Sequence, residues 1–418
     1  MVEIADGCLI DDPVSVRVRH LPPGRRVRLR VHCTDAAGLP FASWAEYRVS
    51  DDGTLDAARQ SPLAGTYRQV DRYGLWWSMR ARKTAAFTAN LEPVTTTVQV
   101  ELGGQIVAST SWQRVWLGPG VRADPVGAGL AATLFTPERT PAPGVIVLGG
   151  SDGGRQWAEG VAALLASRGL TALALAYFAE PGLPPTLTRV PLEYVGAAVS
   201  HLAGQETVAG DLVAIAGASR GGELALLAGA KFPQVRAVVG WAASGVVWAG
   251  LGVGGRVGGP AWTEGGEPVP YAVPSDLPSG YGRRGRPIVL RSTFEAPLQD
   301  GRTEESVIAV ERVQGPLLLM SGGDDRLWPA APLAEVAVSR LADRGHRFDI
   351  RHLHYQPAGH LAGRPPGLPA PPPASAHPAD GRRYDLGGTP AADASSGADA
   401  WPQVVELLSQ ALPHVDGR

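Results

Sequence analysis

The sequence predicts an antiparallel β-sandwich followed by an α/β domain on a mostly parallel sheet, and two patterns carry that prediction. Before about residue 125, apolar residues alternate with polar ones, as Val27, Leu29 and Val31 do in RRVRLRVHC and Val98, Val100 and Leu102 in VQVEL. From Pro143 the pattern changes to short unbroken apolar runs separated by helical stretches, the arrangement of a parallel sheet covered by helices. A chain of 418 residues suits two domains, expected at 1–125 and 126–418.

The elements follow in order. Turn signals such as DAAGLP and SDDGT separate the early strands. Trp76 and Trp77 in GLWWSM read as buried sandwich aromatics, with a pocket lining as the alternative. VIVLGG is the first strand read in the second domain, and the helix after it places Trp157, Val161, Leu164 and Leu165 on one face. TALALAY, LVAIAG and VRAVVGWA are further buried strands, and LEYVGAAVSHL and ELALLAGA are helices between them. Residues 249–305 are rich in Gly and Pro without periodicity, an insertion of the kind that forms a lid or binding loop. Order returns with the strand PLLLMSGGDD, a helix and the strand HRFDIRHLHY; a Pro-rich loop at about 364–380 precedes the closing amphipathic helix WPQVVELLSQAL.

Composition narrows the function. With 44% hydrophobic and 19% charged residues the chain can bury a core, and a net charge of -2 gives no electrostatic footprint for nucleic acid. MVEIADGCLIDDP lacks the basic and apolar regions of a signal peptide, and no apolar run is long enough to span a bilayer, so no membrane association and a cytoplasmic location are expected. Cys8 and Cys33 stand outside any CxxC or metal-ligand spacing and read as ordinary thiols; no metal or other cofactor is expected.

The chemistry centres on Gly217-Ala218-Ser219-Arg220-Gly221, where a buried strand meets a helix. This is the nucleophile-elbow pattern: glycines permit a sharp turn that lifts the Ser219 hydroxyl off the sheet, and the Arg220 backbone N–H stands ready for an oxyanion. A glycine-rich packing turn is the bland alternative. On such sheets an acid and then a histidine follow the serine in the chain. Asp324 and Asp325 end the strand PLLLMS, and His360 lies in YQPAGHLAG beyond the next strand. His352 and His354 have the H-x-H spacing of metal ligands but no third ligand nearby, and read as strand side chains. His20, His32, His201, His346, His377 and His414 have no comparable context and read as surface or packing residues. A second oxyanion donor is expected from the loop GGSDGGR, with Gly153 the residue assigned; the same loop matches no phosphate-cradle spacing. Arg283, Arg284 and Arg286 in GYGRRGRP are candidates to hold the phosphates of a substrate, against the alternative of a solvated basic loop.

Taken together, these residues resemble the acyl-CoA thioesterase / bile acid-CoA:amino acid N-acyltransferase family. The resemblance rests on the elbow followed by GGE, ALALAYF followed by LP, LEYVGAAVSHL, SGGDDRLWP, the AGHL around His360, LGGTP with a later DAW, and, in the first domain, VRLRVHCTDAAGLPFASWAEYRV and YGLWWSM. It implies an immunoglobulin-like β-sandwich before an α/β-hydrolase fold, with a mostly parallel sheet and helices on both faces. It further implies Ser219 as nucleophile, His360 as base and Asp325 as acid. Family members that conjugate amino acids carry cysteine at the elbow, so Ser219 favours hydrolysis. The chain departs from the family in reading AGRPPG after His360 and in the stretch APPPASAHP.

The leading expectation is a cofactor-free serine thioesterase acting on acyl-CoA or on an acyl group held by a carrier protein. An acyltransferase or cyclase sharing the same acyl-enzyme is the alternative reaction, and a catalytically silent scaffold is the alternative class.

Overall fold

A computed structural model describes residues 2–5, 9–127, 129–277 and 285–412. The chain forms two compact units: the residues up to Gly118 together with Pro365–Pro372, and the remainder.

The first unit is built on antiparallel strands. Its larger sheet places Pro40–Arg48 and Val94–Leu102 on either side of Arg26–Thr34, with Gln105–Arg114 beyond. A second sheet has three strands, including Val2–Ala5 and Ser15–Val18. The alternation predicted for RRVRLRVHC is realised: Val27, Leu29, Val31 and Cys33 are buried, and Arg30 on the other face reaches Glu101 at 2.7 Å. Trp76 and Trp77 are buried as expected, Trp76 edge-on to Trp112 and beneath the Arg114 guanidinium. That guanidinium donates to the Gly367 carbonyl at 2.6 Å, and the Ala370 N–H donates to the Trp77 carbonyl at 2.9 Å. These bonds tie residues 365–372 of the Pro-rich stretch into the first unit rather than the second, where the sequence reading had put them.

The second unit holds an eight-stranded sheet. In chain order its strands are β1 (Arg122–Val126), β2 (Ala132–Thr136), β3 (Ala142–Leu148), β4 (Thr171–Leu175), β5 (Val208–Ala218), β6 (Val235–Trp241), β7 (Leu317–Gly322) and β8 (Ile350–Tyr355). They lie in the spatial order 1-2-4-3-5-6-7-8; β1, β2 and β4 pair antiparallel and the remaining neighbours run parallel. Helices α1 (Gln156–Ser167), α2 (Leu192–Ala203), α3 (Arg220–Lys231), α4 (Arg291–Gln299), α5 (Ala330–Asp343) and α6 (Pro390–Gln410) complete the unit. This is the mixed sheet of an α/β hydrolase. Every residue of β3 and β4 is buried, which is why these strands are continuous apolar runs and not alternating ones.

Three features departed from expectation. VIVLGG is the third strand of the sheet and not the first: β1, with the sequence RADPV, is an exposed edge strand without an apolar signature, and β2, ATLFT, is buried but too short and too rich in threonine to stand out as an apolar run. The irregular segment contains α4 and short strands such as Ala249–Leu251 and Val257–Pro260. The closing helix starts at Pro390, well before Trp401: its first turns, ADASSGAD, are small and polar, but Thr389 caps it by accepting the Ala392 N–H at 3.2 Å, with Pro390 in the first turn.

Candidate active site

Strand β5 ends at Ala218 and α3 begins at Arg220, so Ser219 alone makes the turn, with φ 56° and ψ −118°. That conformation is strained for a residue with a side chain and persists only where the surroundings impose it. Close packing imposes it here. A Cβ on Gly217 would lie 2.1 Å from the Gly221 carbonyl oxygen, and one on Gly221 would lie 2.1 Å from that of Gly149, so both outer positions of the motif admit only glycine. The Ser219 N–H donates to the Trp241 carbonyl at 2.7 Å, fixing the turn to β6. Arg220 is the first residue of α3, where an amide has no carbonyl one helical turn behind it to bond.

Two loops from the same carboxyl-end edge of the sheet bring Asp325 and His360 together. Asp325 Oδ2 lies 2.7 Å from His360 Nδ1, and Asp325 Oδ1 accepts the N–H groups of Leu327 at 2.9 Å and Trp328 at 3.2 Å. The carboxylate is fully buried and the imidazole is 4% exposed, with the Trp328 ring edge-on to it at 6.0 Å. Asp324 points elsewhere: Oδ1 accepts from Arg326 Nε at 3.1 Å and Oδ2 from the Gly388 N–H at 3.0 Å. With Nδ1 committed to Asp325, Nε2 is the nitrogen left for proton transfer. Among the described residues no hydrogen bond joins it to Ser219 Oγ, a link that in substrate-free sites commonly closes only on binding.

The loop after β3 faces the elbow, but not through the residue assigned to it. The Gly153 N–H turns inward to the Gly150 carbonyl at 3.4 Å, and a Cβ on Gly153 would meet Ala179 and Phe178. Gly150 is the residue against the serine, since a Cβ placed on it would lie 3.4 Å from Ser219 Cβ. Gly150, and not Gly153, is therefore the glycine of this loop that lies beside Ser219. His377, read as a surface or packing residue, lies beside this loop: its Nδ1 accepts the Ala379 N–H at 3.2 Å, so Nε2 carries the hydrogen and donates to Ser151 Oγ at 3.0 Å. A histidine in an aperiodic Pro-rich stretch offers no sequence signal of where it will land.

Of the proposed phosphate-holding arginines, Arg283 and Arg284 lie outside the described residues, and Arg286 is exposed. His352 Nε2 is hydrogen-bonded to Ser321 Oγ at 2.7 Å and stacks on His354, so the H-x-H pair is occupied within β7 and β8. Among the described residues no group of three or more side chains is arranged to hold a metal ion.

Sequence reading missed the ion pair beneath the elbow. The Arg220 side chain turns inward to Glu223, 3.2 Å away, and donates to the Trp248 carbonyl at 2.8 Å; Glu223 Oε1 also accepts from Trp262 Nε1 at 2.6 Å and from the Trp248 N–H at 3.2 Å. Both side chains are buried, and burial pushes the Glu223 carboxyl up from 4.5 to about 7 despite the guanidinium beside it. Glu223→Ala would leave Arg220 buried and unpaired, and a loss of about 3–5 kcal/mol in unfolding free energy is expected from denaturant titration. A carboxyl raised on folding binds protons in the native state that the unfolded chain has released. Wild-type stability should therefore fall relative to Glu223→Gln as pH rises through the window from 4.5 to about 7. Melting both proteins across that window checks the sign.

Comparison with known proteins places the chain in a family. The description BAAT / Acyl-CoA thioester hydrolase C terminal matches residues 190–414, and Acyl-CoA thioester hydrolase/BAAT N-terminal region matches residues 11–128. Human acyl-coenzyme A thioesterase 1 is 32% identical over all of this chain and 97% of its own. Human mitochondrial acyl-coenzyme A thioesterase 2 is also 32% identical, over all of this chain and 85% of its own, and mouse peroxisomal succinyl-coenzyme A thioesterase is 29% identical over 98% of this chain and 95% of its own. Among solved structures, a dienelactone hydrolase-like promiscuous phosphotriesterase from metagenomic libraries covers 70% of this chain and 98% of its own, with 17% identity and a TM-score of 0.43. Family descriptions that together span most of the chain, and relatives at 32% identity along its whole length, make it a member of the acyl-CoA thioester hydrolase/BAAT family.

Proposed function

We propose that this chain is a serine thioesterase that hydrolyses acyl-CoA through an acyl-enzyme on Ser219. The observation that carries the reading is the strained elbow at Ser219 on the same sheet edge as a buried, hydrogen-bonded Asp325–His360 pair. Ser219 Oγ attacks the thioester carbonyl carbon while His360 Nε2 takes its proton. The oxyanion is met by the Arg220 N–H and by an N–H of the Gly150-Ser151 turn. As the C–S bond breaks, the imidazolium returns the proton to the leaving thiolate and coenzyme A departs. Water then attacks the acyl-enzyme, giving its proton to Nε2, and the carboxylic acid leaves as the proton returns to Ser219 Oγ. Asp325 holds the imidazole in the tautomer with its hydrogen on Nδ1 and faces the positive charge that forms on it.

Several finer assignments belong to the same proposal. The antiparallel sheets of the first unit support an immunoglobulin-like sandwich up to about residue 118, short of the expected boundary at 125 because Arg122–Val126 joins the second sheet, with the hydrolase domain after it. The names of the relatives favour coenzyme A over a carrier protein as the thiol, and phosphate contacts from Arg283, Arg284 and Arg286 would suit it. Among the described residues no helix is long and apolar enough to cross a membrane; a cytoplasmic location remains part of the proposal. The test is a panel of short, medium and long acyl-CoAs, with free thiol, free acid and acylated glycine or taurine all measured. Equal release of thiol and acid is expected. Thiol release matched by acylated amino acid would instead make the chain a transferase.

A further inference from the structure

We propose that Asp393 is a positioning residue that latches the His360 loop to the first turn of α6. This rests on His360 acting as the base in the reaction above. Asp393 Oδ1 accepts the N–H of Gly359, the residue immediately before His360, at 2.8 Å. One turn further along α6, Ser396 Oγ accepts the N–H of Gly363 at 3.0 Å while donating to the Asp393 carbonyl at 2.7 Å. The same helix therefore holds backbone amides on both sides of the imidazole.

The surroundings leave this segment little room. The His360 N–H donates to the Leu386 carbonyl at 2.8 Å, and a Cβ on Gly359 would lie 2.5 Å from backbone atoms of Leu386 and Gly387. A Cβ on Gly388 would lie 2.2 Å from the Gly359 nitrogen and 2.9 Å from Asp393 Oδ1. The Gly387-Gly388 turn is thus wedged between the His360 loop and Asp324, which accepts the Gly388 N–H. Asp325, which holds His360 Nδ1, follows Asp324 directly. Acid loop, histidine loop and α6 share one set of backbone contacts, and Asp393 is the side chain that closes it.

The carboxylate also occupies a costly place. Burial raises Asp393 to about 6, against the lowering effects of the Gly359 N–H, Arg364 and His360, with Asp325 adding to the rise. Its position in the first turn of α6 favours negative charge, yet burial prevails. A carboxylate held against that penalty, with its hydrogen bond spent on the residue next to the base, fits a role in geometry and not in surface charge.

Asp393→Ala frees the Gly359 N–H, lets the imidazole drift, and is expected to lower kcat roughly 10- to 100-fold with KM within about twofold of wild type. Asp393→Asn keeps an oxygen that can accept the same N–H and should recover most of kcat, while amide exchange at Gly359 should be fast in the alanine variant and slow in the asparagine variant. Wild-type kcat in Asp393→Ala, or equal losses in both variants with Gly359 protected in each, would overturn the latch. Should Asp393→Ala not fold, Asp393→Glu moves the carboxylate by one methylene, and unchanged kcat there would overturn it equally. Ser219→Ala assayed alongside reads the nucleophile alone: if it is inactive while Asp393→Ala is fully active, the latch falls and the thioesterase reading stands. If Ser219→Ala is fully active, the thioesterase reading falls, and Gly359 exchange still decides the contact.

Discussion

Ser219→Ala is expected to lower kcat for acyl-CoA hydrolysis by roughly 10⁴- to 10⁶-fold, the range in which loss of a triad nucleophile falls. Removing one oxygen should disturb little else. The turn at residue 219 is imposed by the close approach of Gly217, Gly221 and Gly149 and by the bond from the Ser219 N–H to Trp241, none of which needs the hydroxyl. The variant should therefore melt near the wild-type temperature and still bind acyl-CoA, with KM or Kd little changed. Thiol release followed with a chromogenic disulfide provides the rate, and calorimetry the binding. A folded Ser219→Ala that turned over at the wild-type rate would remove Ser219 from the chemistry.

Asp325→Asn and Asp324→Asn should differ sharply although the residues are neighbours. Asp325 Oδ2 accepts from His360 Nδ1, while Oδ1 accepts two backbone amides of its own turn. An amide at this position can keep the turn but can present an N–H to the imidazole, favouring the tautomer with its hydrogen on Nε2; a loss of roughly 10⁴ in kcat is the expected scale. Asp324 serves Arg326 and the Gly388 N–H at a half-exposed position. Its replacement should leave turnover within a few-fold of wild type and cost at most about 1 kcal/mol of stability, as exposed ion pairs do. Single-turnover rates on both variants, with circular dichroism as the folding control, check the contrast; the opposite order would make Asp324 the acid.

The parts of the fold readable from the sequence were those whose local chemistry had one solution. Buried parallel strands such as VIVL and TALAL need apolar side chains on both faces, so they stood out as unbroken runs. The elbow was legible because two glycines and a serine at fixed spacing answer a steric demand, seen here as 2.1 Å approaches at Gly217 and Gly221. Asp325 and His360 were located by chain order and family resemblance; the 2.7 Å bond between them is a property of tertiary structure alone. Edge strand β1 was missed because an exposed strand owes nothing to hydrophobicity. The shift from Gly153 to Gly150, the approach of His377 to Ser151 and the grip of Asp393 on Gly359 all depend on which loop packs against which, and loop sequence carries no periodic trace of that. Glu223 sat in plain view four residues after the nucleophile, yet only its burial against Arg220, Trp248 and Trp262 makes it informative.

The central claim, a covalent acyl-enzyme on Ser219, is tested most directly by an alkyl phosphonofluoridate, in which an activated serine oxygen attacks phosphorus and fluoride leaves. Digestion and mass spectrometry then locate the adduct, while residual thioesterase activity is followed on the same samples. The expected result is one phosphonyl group on Ser219, loss of activity in proportion to its occupancy, and no adduct on Ser219→Ala. Complete inactivation with the label on another residue, or full occupancy of Ser219 with activity retained, would contradict the account.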